Sequence, residues 1–234
     1  MIILCWAAFG ALAAVVLNHL ADCLPEHRPL SQRPACKCGQ PYQPRQWLAV
    51  SALLMGAARC PACGTPLPAR RWLFEIALAL LYAVLAWRYT LSWALAAATL
   101  HASILALIVV TDLEHRVVPN AVILPAIGLT VVLTGLACPR CAPAMLLGGT
   151  LAFLLFLLLA LIRPGAMGFG DVKLAAYVGL IAGYPHVLSA LFLAILAGGM
   201  TAAALLLSGK GGRHTYIPYA PFLALGGAWA LFFL

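Results

Sequence analysis

Charge is what this chain has least of. Only 9% of its 234 residues are charged and just six are acidic, whereas 65% are hydrophobic. A soluble domain needs roughly a quarter of its residues charged to cover its surface, so most of this surface faces something other than water. The mean hydropathy of +1.02 agrees. Also lacking are a repeat with a period of tens of residues, which excludes a solenoid, and a Gly-rich nucleotide-binding fingerprint. The first apolar segment lacks a basic start, so it reads as a membrane anchor rather than a cleavable signal peptide.

What is present is long apolar runs. Segments of roughly 20 apolar residues cross a bilayer, and eight can be drawn: 2–20, 72–89, 92–111, 119–137, 144–162, 172–184, 186–207 and 216–234. The sixth is short and the gap at Tyr184-Pro185-His186 is tight, so seven spans with a re-entrant turn stays open as the alternative. The expected fold is all-α and polytopic. Short loops are expected at 112–118, 138–143, 163–171 and 208–215.

The net charge of +8 reports topology rather than nucleic acid, and no nucleic-acid partner is expected. With the N-terminus outside, Arg28, Arg33, Lys37, Arg45, Arg59, Arg70, Arg71, Arg116, Arg163, Lys173, Lys210 and Arg213 fall on the cytoplasmic side. Only Arg88 and Arg140 fall outside. That bias is the positive-inside pattern, with a further attraction to anionic lipid. Three regions follow: a first transmembrane helix over 1–20, a polar cytoplasmic segment over 21–71, and a membrane core over 72–234.

The polar segment carries Cys36-Lys-Cys38 and Cys60-Pro-Ala-Cys63, which look like the halves of a zinc ribbon. Zinc takes four thiolates at tetrahedral corners, and two tight turns supply them. Cys36-x-Cys38 is one residue short of the usual spacing, so Cys23 or His27 is a candidate substitute ligand. A reducing cytoplasm argues against disulfides here, and a zinc would hold the loop together rather than perform chemistry. Cys138-Pro-Arg-Cys141 falls in an outer, oxidising loop, where a local disulfide can form. The centre of the polar segment, Trp47 to Met55, is moderately apolar but too short to span, and reads as an interfacial or packed piece of a small cytoplasmic module.

Among the six acidic residues, Glu75, Asp112 and Asp171 lie within or at the edges of spans. Acids at membrane depth are costly and tend to mark function. Asp112 and Asp171 occupy the cytoplasmic boundary of separate helices, at equal depth. Two carboxylates in contact cannot both ionise cheaply, so one keeps a proton while the other takes a proton from water that attacks a peptide carbonyl. In Met167-Gly168-Phe-Gly170-Asp171 the glycines are expected to permit positive φ and a close substrate backbone. Taken alone, G-x-G-D is a plain turn with Asp171 as an N-cap and Asp112 a solvated loop residue. Glu75 either pairs with Arg71 one turn earlier or faces the active cavity.

These residues resemble the bacterial type IV prepilin peptidases, the leader peptidase/N-methyltransferases. Asn18-His-Leu-Ala-Asp-Cys-Leu-Pro25, the paired cysteines and Arg70-Arg-Trp-Leu-Phe-Glu75 are similar to the family's N-terminal part. Thr111-Asp112-Leu-Glu-His-Arg-Val-Val-Pro119-Asn120 and Met167-Gly-Phe-Gly-Asp171-Val-Lys173-Leu174 resemble its two aspartate motifs, and Ile217 to Gly226 its final helix. The resemblance implies cleavage of prepilins or pseudopilins, including those of type II secretion, with Asp112 and Asp171 as the catalytic pair. Beside that pair, Gly168, Gly170, Lys173 and Glu75 are expected near the substrate, and the protein is expected in the inner membrane. It also implies methylation of the new N-terminus by S-adenosylmethionine. Ala35 stands where the family's first cysteine would sit. The rival from another class is an ion-coupled transporter, whose coupling acids would lie near the midplane.

Overall fold

A computed structural model describes residues 1–162, 167–209 and 218–233. Arg163, Lys210, Arg213 and Ile217, used above for topology and for the final motif, lie outside the described residues. The regular elements of the described residues are all helices, with no strand among them. The helices are α1 (Ile2–Cys23), α2 (Ala49–Leu54), α3 (Ala69–Arg88), α4 (Trp93–His115), α5 (Asn120–Ala137), α6 (Ala142–Ile162), α7 (Phe169–Ala182), α8 (Val187–Leu207) and α9 (Ala220–Phe233).

Each expected span coincides with one of these helices. Five of them, α1, α4, α5, α6 and α8, are long and apolar enough to cross a membrane. Their lipid-ready character shows in the large side chains they leave exposed, such as Leu12, Leu136, Leu154 and Phe192. The tight gap after the sixth segment is a true break between helices. Gly183, at φ 66°, ends α7, and the Tyr184 N–H bonds the Ala144 carbonyl at the start of α6 (2.8 Å).

The loop expected at 112–118 begins later than the sequence indicates. Helix α4 continues through Asp112 to His115, and Arg116 then takes a left-handed conformation at φ 56°. The Arg116 N–H closes the last turn on the Asp112 carbonyl (2.9 Å). A left-handed residue ends a helix by satisfying its free carbonyls. Asp112 is therefore a buried helical residue, 4% exposed, rather than a solvated loop residue.

The chain forms two compact units, Met1–Ser103 and Ile104–Leu234, with the division inside α4. In the first, α1 and α3 pack antiparallel. A Cβ on Gly10 would meet the Leu78 carbonyl oxygen at 2.8 Å and the Ala79 Cα at 3.0 Å. Close backbone approach at small residues is how apolar helices associate in lipid. Further along the same seam, the Asn18 amide donates to the Arg71 carbonyl (3.3 Å), and Asp22 receives both Arg70 and Arg71. A polar thread also crosses this unit: Trp6 donates to Thr99, whose carbonyl takes the Ser103 hydroxyl, which meets Tyr82.

In the second unit, α7 is the central helix. A Cβ on Gly148 of α6 would lie 2.5 Å from the Gly179 carbonyl oxygen, so α6 and α7 meet backbone to backbone. A Cβ on Gly227 of α9 would fall 3.2 Å from Val178 on α7 and 2.9 Å from Leu105 on α4. Leu174, Ala175, Tyr177 and Val178 of α7 are fully buried.

Candidate active site and cysteine cluster

Asp112 and Asp171 belong to the second unit and come together there. Asp112 lies one turn before the end of α4, and Asp171 is the third residue of α7. Both are almost fully buried, at 4% and 5% exposure, and the charge of Asp112 acts directly on Asp171. The two carboxylates lie beside different helix starts. The Asp171 N–H bonds the Gly168 carbonyl (3.1 Å), and Asp171 Oδ2 lies 3.7 Å from where a Gly168 Cβ would stand. Gly168, not Asp171, is the N-cap. Asp112 Oδ2 accepts the Ala220 N–H (3.1 Å) at the first residue of α9. The free N–H groups of a helix start, with the helix dipole behind them, favour an anion.

The two glycines differ in what they do. Neither needs positive φ, contrary to the sequence expectation. Gly168 has φ −78°, and Gly170 is not among the described positive-φ residues, whose glycines are Gly39, Gly56, Gly64, Gly183 and Gly209. A Cβ on Gly170 would strike Val118 Cβ at 2.9 Å. The missing side chain lets the chain after α4 pack against the start of α7, which is what brings the aspartates together. Gly168 is open instead. The nearest atoms to its absent Cβ are Asp171 Oδ2 at 3.7 Å and the Gly170 nitrogen at 3.9 Å. Lys173 donates to Asn120 Oδ1 (2.8 Å), tying the first turn of α7 to that of α5.

Sequence reasoning missed Ala220, Tyr219, Val118 and Asn120 as parts of this site. Tyr219 precedes α9, lies within electrostatic reach of Asp171, and makes a tilted ring contact with Phe156 and an edge-on one with Phe222. Asn120 and Val118 sit inside the first aspartate motif, so that motif was their only visible signal.

Glu75 lies in the first unit, 1% exposed. Its Oε1 and Oε2 accept the Ala49 and Val50 N–H groups, each at 2.8 Å. A buried carboxylate on α3 thus caps the start of α2. Arg71, one turn earlier, acts on it electrostatically and also stacks over Tyr42 at 4.5 Å.

The cysteine turns belong to the same unit. Cys36, Cys38, Cys60 and Cys63 bring their sulfurs within 4.8 Å of one another, with Cys36–Cys63 at 3.6 Å and Cys38–Cys60 at 3.7 Å. A tetrahedral ZnS4 centre has sulfur–sulfur edges of about 3.8 Å, given zinc–sulfur bonds near 2.3 Å. The donor set fits zinc. The shortened spacing is absorbed by the turn itself. Gly64 N–H bonds the Cys60 carbonyl four residues back, whereas Gly39 N–H bonds the Cys36 carbonyl three residues back. Both glycines have positive φ, 71° and 86°. Neither Cys23 nor His27 substitutes: Cys23 Sγ lies instead 3.7 Å from His19. The Thr65 hydroxyl draws the Cys36 thiol down to about 6, helped by the backbone N–H of Cys38. It lowers Cys63 as well. Cys138 and Cys141 form the expected local disulfide.

Five helices apolar enough to cross a membrane, a pair of buried aspartates and a four-thiol knot mark a multi-pass membrane protein. Comparison with known proteins is more specific. The profile of the Type IV leader peptidase family matches residues 99–203, and that of the bacterial peptidase A24 N-terminal domain matches residues 8–89. A prepilin leader peptidase/N-methyltransferase of Pseudomonas putida is 33% identical over 205 residues, spanning 83% of this chain and 70% of the relative. One of Bacillus subtilis is 27% identical, spanning 86% of this chain and 82% of the relative. Another, from Burkholderia pseudomallei, is 33% identical. The chain belongs to the type IV leader peptidase family. No solved structure matches it.

Proposed function

We propose that this protein is an aspartyl endopeptidase that removes the leader from type IV prepilins or pseudopilins, with Asp112 and Asp171 as the catalytic pair. The single observation that carries this reading is that two buried carboxylates, 59 residues apart in the chain, sit together where α4 ends and α7 begins. Its relatives carry the name prepilin leader peptidase/N-methyltransferase.

The chemistry follows from the pair. One carboxylate takes a proton from a water molecule, whose oxygen bonds to the scissile carbonyl carbon. The other, protonated, donates to the carbonyl oxygen. Collapse breaks the C–N bond, and the amine leaves with a proton from the dyad. As interacting groups the two titrate as one system. Gly168 offers bare backbone beside Asp171 for the extended substrate. Gly170 and Lys173 hold the first turn of α7 against Val118 and Asn120. Glu75 holds α2.

The proposed setting is the bacterial inner membrane with eight spans, including the shorter or more polar α3, α7 and α9. The N-terminus would be outside and the aspartates at the cytoplasmic face. Two features support that orientation. Cys138–Cys141, a disulfide suited to an oxidising compartment, closes the end of α5 opposite Asn120. The four-thiol cluster, suited to a reducing one, follows α1. A zinc held by Cys36, Cys38, Cys60 and Cys63 would cross-link two turns and supply structure. Methyl transfer from S-adenosylmethionine is proposed from the relatives' name. The one unpartnered buried polar atom among the described residues, Asn18 Oδ1, is an enclosed single acceptor and does not make a cradle for an adenosyl group. No residue is therefore assigned to the donor. The ion-coupled transporter finds no support, since the matched family is a peptidase family.

The test is purified protein with a prepilin, with and without S-adenosylmethionine, read by intact mass. Wild type removes the leader; Asp112→Asn and Asp171→Asn do not. A gain of one methylene in mass establishes the second activity separately. Cleavage by both Asn variants defeats the assignment.

A further inference from the structure

The cysteine module carries an apolar tip that nothing in its own unit covers. Leu54 is 85% exposed, Met55 74%, Leu53 48% and Trp47 46%. On a water-bathed module such a cluster is anomalous, because contiguous exposed apolar surface marks a contact site. The depth of the tip identifies the contact.

Helix α1 supplies the scale. Its residue Gly10 lies against Leu78 and Ala79 of α3, and Asn18 bonds the Arg71 carbonyl. In that antiparallel register, Glu75 stands level with Ala14. The apolar run of α1 continues to Leu17, so Glu75 lies about one turn, roughly 6 Å, inside the apolar belt. Glu75 grips the Ala49 and Val50 N–H groups, which pins the start of α2 at that level. Helix α2 has six residues and is about 9 Å long. Even directed straight outward, it ends only about 3 Å beyond the apolar boundary, within a headgroup layer some 5–8 Å thick.

The neighbouring surface agrees. Leu73 and Ile76, beside Glu75 on α3, are 52% and 42% exposed, so α3 presents apolar side chains at the same level. Over residues 24–68 the chain carries five basic side chains (Arg28, Arg33, Lys37, Arg45, Arg59) against one acid, Glu26. That balance complements anionic headgroups.

We infer that Leu53, Leu54 and Met55, at the tip of α2, insert into the headgroup–acyl boundary of the same leaflet and dock the cysteine module on the membrane surface. Trp47, half exposed just before α2, is of the residue type that collects at such a boundary.

The test uses the full chain in nanodiscs of phosphatidylcholine and phosphatidylglycerol. An environment-sensitive fluorescent amino acid replaces Leu54, or Met55 in a second variant, or Gln40 in the cysteine turn as the aqueous reference. Monodisperse elution and retained zinc report an intact fold. At 54 and 55, nitroxide attached near the top of the lipid acyl chain is expected to quench several-fold more than at 40, with iodide quenching several-fold less. Equal iodide quenching at 54, 55 and 40 overturns the inference. So does protection from both quenchers, which would mean that protein covers the tip.

Discussion

Asp112 Oδ2 accepts the backbone N–H of Ala220, the first residue of α9, at 3.1 Å. One of the two proposed catalytic carboxylates is therefore held by a group without a side chain, from a helix 108 residues further on.

That contact can be removed by one substitution. Proline at the first position of a helix is well tolerated, because the missing N–H has no intrahelical partner. Ala220→Pro is expected to fold and to lose about 10- to 100-fold in cleavage rate, the equivalent of a hydrogen bond to a charged group. The loss should be steepest at acid pH, since the donor favours the ionised carboxylate. Ala220→Gly keeps the N–H and should stay within a few-fold of wild type. Prepilin cleavage across pH, beside thermal unfolding of each variant, checks both.

Gly170→Ala places a methyl 2.9 Å from Val118 Cβ. Overpacking of this kind costs about 1–3 kcal/mol, and here it also pries the start of α7 away from the end of α4. Activity and melting temperature should both fall. Val118→Ala in the same chain should restore much of both, a coupling that a double-mutant cycle measures. Additive losses would show that the two residues do not press on each other.

Glu75→Ala leaves two N–H groups of α2, one buried and one part-buried, without an acceptor. The expected loss is about 1.5–3 kcal/mol, read as a lower melting temperature and faster proteolysis between residues 49 and 59. Glu75→Gln, which keeps one acceptor and loses the charge, should fall between.

Zinc analysis of the purified protein should return one ion per chain, and Cys38→Ser or Cys60→Ser should abolish it. The Thr65 hydroxyl beside Cys36 draws that thiol down, whereas Cys38, against a lowering contact with the Gln40 backbone, is pushed up by the thiols around it. Metal binding requires the deprotonated forms. Zinc retention is therefore expected to weaken as pH falls. Thr65→Val should move the loss to higher pH, as followed by chelator competition.

Much of this architecture is legible in the residues. Every apolar segment drawn from composition coincides with a helix, because the lipid-facing pattern is continuous and nothing local competes with it. Asp112 and Asp171 stand out because acids are rare in such surroundings. The partners that hold them do not. A backbone N–H such as that of Ala220 has no sequence signature, and the pressure of Val118 on Gly170 exists only once α4 and α7 meet. In the sequence α4 reads as ending before Asp112 because a charged run reads as solvent, whereas the helix runs to His115 and Arg116 turns left-handed beyond it. Glu75 has no local signal for its role: its two oxygens are satisfied by a short helix that its own spacing does not announce.

The bare contact between Gly148 and Gly179 has a bearing on where the cut falls. Sliding α7 along α6 by one turn would drive side chains into a seam that admits none, so this contact sets the height of α7. Asp171 lies eight residues before Gly179, about 12 Å along the axis. The two glycines of the α6–α7 seam thus act as the zero mark of a ruler whose other end is the proposed catalytic Asp171.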